Sequence, residues 1–242
     1  SSIFRASLPC GATKGFKFSF LMNTAFTAIL LGPPGSGKST QANFLVQEMN
    51  AIHVDIGLAL RKTAEMNTPL GARVSDIMNR RKELVPDDIV EEVLSGALAS
   101  VPSDRLVIID GAPRCSTQIE IIDAILKTFE RKVNIAIYVA LSEEESVRRI
   151  SRRWMCPQCN QPFVSGVDFQ EDTAVCPTCK VRLLRRKDDT EEGVQKRFQV
   201  FASNTLPVVE HYRKEGKLLE VDGTKDPIAL FGDIRERIPV TA

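Results

Sequence analysis

Apolar positions in this chain fall into two patterns that take turns along its length. Phe26–Leu31 is an apolar run, Leu106–Ile109 is a continuous one, the mark of a strand buried on both faces of a parallel sheet, and Val133–Leu141 is a third, strongly β-prone run. Ala51–Val54 and Leu218–Val221 are shorter runs of the same kind. Between them the apolar residues recur at helical spacing. One helix carries Phe44, Leu45 and Met49, and a helical hairpin follows over about Gly57–Asn67 and from Pro69 to Arg80-Arg81-Lys82. Pro86-Asp87-Asp88 starts a further helix, with acids in its first turn and Ile89, Val90, Val93, Leu94 and Leu98 behind them. Ile119–Phe129 is helical, Ser142 caps a helix over Glu143-Glu144-Glu145, and Asp188–Tyr212 and Asp226–Ile238 complete the set. Strands that alternate with helices predict right-handed crossovers and a parallel α/β sheet.

The chemistry enters at the end of the first run. Gly32-Pro33-Pro34-Gly35-Ser36-Gly37-Lys38-Ser39-Thr40 fits the spacing GxxxxGK[ST] between a predicted strand and a predicted helix. Glycines let the backbone curl so that successive N–H groups face phosphate oxygens, and the helix adds its positive end. Gly35, Ser36, Gly37, Lys38, Ser39 and Thr40 are therefore candidate ATP-binding residues. Lys38 would reach the β/γ-phosphates, and the Ser39 or Thr40 hydroxyl would hold Mg²⁺ or its waters. The fold class expected is a three-layer P-loop NTPase.

Composition narrows the partners. The chain has 242 residues, 43% hydrophobic and 26% charged, with a net charge of +1. No global basic field argues for nucleic acid, and no apolar run approaches the ~20 residues of a membrane span. No acidic residue precedes Glu48, whereas Arg5, Lys14 and Lys17 are basic and Ser, Phe and Thr are frequent. Residues 1–24 read either as an organelle transit peptide or as an extension before the domain, with Met22 a natural start. The compartment follows that choice: cytoplasm, or mitochondrion or plastid.

Four of the six cysteines form Cys156-x-x-Cys159 and Cys176-x-x-Cys179. Each pair makes a tight knuckle, and four thiolates complete a tetrahedron around a structural Zn²⁺. With no ligand position open, such an ion folds a loop and performs no chemistry; a redox pair or unligated thiols are the competing readings. Phe163, Val164, Val167 and Phe169 between the knuckles suggest a small β-ribbon. Cys10 and Cys115 read as ordinary thiols. Basic residues flank the module, Arg148, Arg149, Arg152 and Arg153 before it and Lys180, Arg182, Arg185, Arg186 and Lys187 after. Arg149 and Arg153, four residues apart, are expected on one helix face, converging on a single anion.

The arginines also speak to the reaction. A hydroxyl acceptor needs a positioned base, yet His53 and His211 are the only histidines, and both read as structural. A nucleoside monophosphate is already ionised, with a second pKa of ~6, and needs cations instead. Lys38, Arg61, Arg114, Arg149, Arg153, Arg186 and Arg197 are the candidates. Asp110, after the buried run, can serve Mg²⁺ through water together with Ser39.

From about Thr27 to its end the chain resembles the adenylate kinases of the long type with a zinc-bearing lid. The P-loop, Asp110-Gly111-Ala112-Pro113-Arg114 with Gln118, the lid arginines, the paired CxxC, Arg186-Lys187-Asp188-Asp189 with Arg197, and Asp222-Gly223-Thr224-Lys225 come in that family's order. The resemblance implies transfer of the ATP γ-phosphoryl group to AMP, giving two ADP, by a monomer that engages neither nucleic acid nor membrane. It implies that Lys38, Arg114, Arg149, Arg153, Arg186 and Arg197 act in transfer, and that Arg149, Arg153 and Lys225 hold ATP. Ile56, Arg61, Val85, Gly111, Arg114, Gln118, Arg186 and Arg197 would hold AMP. Asp188 and Asp189 would lie at the lid hinge.

The domains implied are a core over 25–54, 85–150 and 188–242, a helical monophosphate-binding arm over 55–84, and a zinc-ribbon lid over 151–187. Departures lie at the acceptor pocket. The family's STGDxLR is Asp55-Ile56-Gly57-Leu58-Ala59-Leu60-Arg61, and the phenylalanine of its DGFPR is Ala112. A smaller, more apolar pocket edge leaves open another monophosphate as acceptor, and GTP stays open as donor because adenine is normally held by stacking and backbone contacts that a sequence does not expose. The rivals from other classes are a catalytically weak nucleotide sensor and a zinc-ribbon nucleic-acid ATPase.

Overall fold

The structure, a computed structural model, describes residues 25–81, 83–159, 161–166, 168–170, 174–186 and 189–238. The expectations for the amino-terminal extension, Cys10, Val167, Lys187 and Asp188 lie outside the described residues.

Strands β1 (Thr27–Leu31), β2 (Ile52–Asp55), β3 (Val107–Asp110), β4 (Val133–Ala140) and β7 (Leu218–Asp222) form one sheet in the order β2-β3-β1-β4-β7. Every pairing in it is parallel. Parallel pairing turns all the strand ends one way, so Gly32, Asp55, Asp110, Leu141 and Gly223 follow or close strands along one rim. That rim is where ligands bind in open α/β sheets.

Alternation along each strand builds the two faces. Ile29, Leu31, Val107 and Ile109 enter one core layer, where they meet α2 (Ile56–Ala64), α4 (Asp87–Leu98), α5 (Thr117–Thr128) and α8 (Leu206–Lys214) through residues such as Leu60, Leu94, Ile122 and Val208. Ala28, Leu30, Leu106 and Ile108 enter the other, against α1 (Lys38–Met49) and α9 (Pro227–Arg235) through Leu45, Leu230 and Ile234. The sheet is thus covered on both sides, as its continuous apolar runs require.

Helix α2 and α3 (Pro69–Ser75) pack as a hairpin; Thr68 caps α3 and a wider π-helical turn extends it over Asp76–Arg81. Helix α6 (Glu143–Ser151) starts where Ser142 Oγ accepts from the Glu145 amide at 3.2 Å. It ends sooner than the arginine spacing predicts. Arg152 is the cap and Arg153 opens β5 (Arg153–Met155), so Arg149 and Arg153 do not share a helix face. Antiparallel β5 and β6 (Pro162–Val164) carry the cysteine module, with a small core of Cys156, Phe163, Ala174, Cys176 and Leu183. Trp154 stacks edge-on to Phe169 beside it, the ribbon expected. The long helix expected to Tyr212 is α7 (Glu191–Val200), a π-helical turn over Phe201–Thr205, and α8. Pro207 has no N–H for the ladder at that junction, which accounts for the widened turn. Among the described residues no helix is long and apolar enough to cross a membrane.

Candidate functional site

The site grows from the loop between β1 and α1. Gly32, Gly35 and Gly37 have φ of 150°, 76° and 96°, values that favour glycine. A Cβ on Gly32 would stand 2.6 Å from the Val139 carbonyl oxygen. Lys38 folds back over the loop, donating to the carbonyls of Gly32 (2.7 Å) and Pro33 (2.9 Å) and to Ser36 Oγ (3.3 Å). Burial pulls its pKa down to about 8; Asp110 opposes the drop, while Arg114 and Arg153 add to it. The next residue, Ser39, donates from Oγ to Asp110 Oδ2 at 3.2 Å, joining the loop to the end of β3. Thr40 lies in the first turn of α1.

Helix α6 leans on the loop from above. A Cβ on Gly35 would meet Ile150 Cγ1 at 3.1 Å and the Ser146 carbonyl at 3.4 Å. Arg149 is held there by Glu145, which takes hydrogen bonds from Arg149 Nε at 2.7 Å and from Arg148 at 2.6 and 2.8 Å. Arg148, then Arg149, hold the Glu145 carboxyl at about 2. Arg149 also acts on Asp222, whose neighbour Gly223 packs within 3.3 Å of the Ser36 carbonyl when given a Cβ. Lys225 acts on the same Asp222 carboxylate, while its ammonium pairs with Asp233 at 2.7 Å on the exposed side of α9.

Arg153 takes a different anchor. The Asp189 carboxylate is wholly buried and receives Arg153 at 2.6 and 2.9 Å and Arg197 of α7 at 2.9 Å. Arg186 and Arg197 are among the charges that lower the Arg153 pKa, after burial. The same two help to lower that of Arg114, again after burial. Lys38, Arg114, Arg153, Arg186 and Arg197, from five separate segments, therefore act on one another around the loop's mouth.

The residues expected to hold the acceptor meet between the ends of β2 and β3. Gly111, at φ 92°, faces Gly57: a Cβ on Gly111 would lie 3.1 Å from the Gly57 amide nitrogen and 3.7 Å from Ile56 Cβ. A Cβ on Gly57 would in turn meet Arg61 Nη1 at 3.3 Å and Arg114 Nη2 at 3.8 Å. Gln118 is buried with Oε1 accepting from the Arg114 amide at 2.8 Å and Nε2 donating to Asp87 Oδ1 at 3.1 Å. Val85 packs at the margin of the adjoining core. Ile56 and Ala112 are 1% and 2% exposed, so this edge of the pocket is apolar and closed.

Sequence reasoning missed four residues here. Asp87 reads as a helix-start acid, yet it orients Gln118 and accepts from Thr117 Oγ1 at 2.9 Å. Glu145, another first-turn acid, secures Arg149. His53 reads as structural, but its Nε2 lies 3.7 Å from Asp110 Oδ2, and Asp55 stands with them. Burial opposes a charge on His53, but Asp110 outweighs it and raises the pKa. Burial likewise pushes Asp110 up, while His53, Lys38 and Ser39 hold it below the usual carboxylate range. The only signal for His53 was its place two residues before Asp55 on a short strand, which puts both on one face.

The cysteine module suits the ion its spacing implies. The four Sγ atoms lie within 4.8 Å of one another, and Cys159 and Cys176 are 3.9 Å apart. A tetrahedron with Zn–S of ~2.3 Å has edges of about 3.8 Å. In each knuckle an amide points at the first sulfur, Cys159 N to Cys156 Sγ and Cys179 N to Cys176 Sγ, both at 3.4 Å. Such N–H···S contacts stabilise thiolate. Cys156, Cys159, Cys176 and Cys179 form a candidate structural zinc site that leaves no position for substrate.

A glycine-lined P-loop at the rim of a five-stranded parallel sheet, fronted by mutually interacting cations, defines a P-loop nucleotide-binding protein. The family model described as adenylate kinase matches residues 30–217. An adenylate kinase of Dehalococcoides mccartyi is 38% identical over 213 residues, covering 88% of this chain and 96% of that relative. Adenylate kinases of Petrotoga mobilis and Thermotoga maritima are 36% and 38% identical over 198 residues each. They cover 82% and 81% of this chain and 90% and 89% of their own length. The chain belongs to the adenylate kinase family.

Proposed function

We propose that this protein is an ATP:AMP phosphotransferase, carrying the γ-phosphoryl group of ATP directly to AMP in line and reversibly, to give two ADP. The observation that supports it most is the ring of five cations, Lys38, Arg114, Arg153, Arg186 and Arg197, around the P-loop mouth. Two polyanions repel, and fixed positive charge is what brings them within reach and stabilises the group in transit. An ionised phosphate acceptor asks for no base.

In this reading the P-loop amides and Lys38 take the donor triphosphate, with Arg149 and Arg153 over it. Arg61 and Arg114 take the acceptor phosphate between Gly57 and Gly111, and Gln118 faces its base beside Ile56 and Val85. Arg186 and Arg197 complete the cage. Ser39 and Asp110 would hold Mg²⁺ through water, and the ion would supply charge neutralisation on the phosphates. The hairpin of 55–84 and the zinc-bearing 151–187 would close as arm and lid, excluding the water that would otherwise hydrolyse ATP. A monomer is sufficient for this, since every residue invoked comes from one chain. The compartment rests on residues 1–24.

The apolar edge at Ile56 and Ala112 favours one rival, a different monophosphate as acceptor. A panel of monophosphates against ATP and GTP, with diphosphates quantified by chromatography, decides it. ADP from ATP and AMP at the highest kcat/KM is the expected result. A higher value for another acceptor would reassign the substrate, and no diphosphate from any pairing would reduce the protein to a nucleotide sensor.

A further inference from the structure

The parallel pairing of β2 with β3 sets Asp55 directly opposite Asp110 at the rim of the sheet. His53 precedes Asp55 by two residues and shares its face. One nitrogen and two carboxylate oxygens from these side chains lie within 4.8 Å of one another. The group is sheltered, the side chains of His53, Asp55 and Asp110 being 17%, 23% and 7% exposed. Among the described residues His53 Nε2 is shielded from solvent and has no hydrogen-bond partner. At 3.7 Å from Asp110 Oδ2 it is too far for a hydrogen bond, so a shielded polar atom is left unpaired there.

We propose that His53, Asp55 and Asp110 form a second metal site, which takes a divalent cation of the Mn²⁺, Fe²⁺ or Co²⁺ class directly and without nucleotide. It differs from an ion that arrives on ATP and is met through water, because three protein atoms bind it. An octahedral ion with bonds of about 2.1–2.2 Å places neighbouring ligands about 3 Å apart and opposite ones about 4.3 Å apart. The cluster's spacing is close to that range, and side-chain rotation supplies the rest.

Asp110 Oδ2 already accepts from Ser39 Oγ at 3.2 Å, so the ion would share that oxygen with the hydroxyl, and two features of the surroundings limit the remaining competition. Lys38, the nearest ammonium in the loop, spends its hydrogen bonds on Gly32, Pro33 and Ser36 rather than on either carboxylate. Asp55 caps α2 with Oδ1, accepting from the Leu58 amide at 2.8 Å, and among the described residues Oδ2 meets Arg61 at 3.9 Å. Two carboxylates offset the charge of the ion. The imidazole selects against Mg²⁺, which favours oxygen and keeps its waters, and the oxygens select against a purely soft ion. Asp55 is what creates the site: with serine there, only one carboxylate would remain.

The test is Mn²⁺ binding to the nucleotide-free, zinc-loaded protein, followed by electron paramagnetic resonance. One Mn²⁺ per chain is expected, bound at least about tenfold more tightly than Mg²⁺, with pulsed spectra carrying a directly bonded ¹⁴N. Asp55→Ser keeps a capping residue on α2, and His53→Gln removes the imidazole. Each should weaken Mn²⁺ at least about tenfold, the scale on which even outer partners of a metal ligand act. His53→Gln should also erase the nitrogen signal, with thermal stability and lid zinc reported alongside. No Mn²⁺ bound, binding unmoved by both substitutions, or a spectrum without nitrogen would each overturn the proposal. None of these depends on turnover, so phosphotransfer can fail in the acceptor panel while this site stands, or the reverse.

Discussion

Lys38 carries a cost that can be read in the folding equilibrium. Its ammonium is enclosed by the loop, and its pKa falls from the ordinary 10.5 to about 8, which corresponds to about 3 kcal/mol between the two protonation states. The side chain keeps some contact with solvent, so screening trims this to about 2–3 kcal/mol. Below pH 8 the folded and unfolded states both hold the proton, and the full cost is present. Between pH 8 and 10.5 the unfolded chain binds a proton that the folded protein has released, so stability climbs with pH. Lys38→Met has no such group and cancels every other titration when the two proteins are compared. Urea unfolding at a series of pH values should show wild type gaining about 2–3 kcal/mol on Lys38→Met from pH 7.5 to 10.5. Parallel stability curves would refute the argument. Turnover should fall in the variant by about 10²–10³-fold or more, the loss typical of one electrostatic donor. ATP binding near pH 8.5 should draw a proton from solution as phosphate restores the charge on Lys38, a quantity calorimetry in two buffers measures.

Asp189→Asn should cost about 2–4 kcal/mol in urea unfolding, because the buried carboxylate that receives both Arg153 and Arg197 loses its charge; a loss under about 0.5 kcal/mol, as for a surface pair, would contradict the buried geometry. Elemental analysis should find about one zinc per chain. Chelation should lower Tm, since the five buried residues among those described make too small a core to hold the ribbon alone, and a metal-free protein of equal Tm would dismiss the ion.

The strands and the P-loop were legible because their signals are local: a continuous apolar run, then glycines at fixed spacing. The candidate acceptor pocket was legible only through resemblance, since Gly57 and Gly111 meet across two strands that nothing local pairs. The end of α6 was misjudged for want of a stop signal. Neither glycine nor proline follows Ser151, and the helix yields to β5 because Met155 and Leu184 pair backbone to backbone. Tertiary pairing overrode a helical pattern there. The cluster of His53, Asp55 and Asp110 was hidden for a related reason: it exists only once β2 and β3 are in register. Glu145 and Asp87 show the limit of reading acids as helix starters, since each occupies a first turn and also holds a site residue.

The shared seat of Arg153 and Arg197 on Asp189 has a mechanical meaning. One guanidinium belongs to the strand leading into the zinc module, the other to a helix packed on the core, and a single oxygen, Oδ1, serves both. Were the module to swing, the first would leave Asp189 to the second alone. The position of the module and the charge beneath it would then be tied at one atom, and a change at Asp189 would be felt by both guanidiniums.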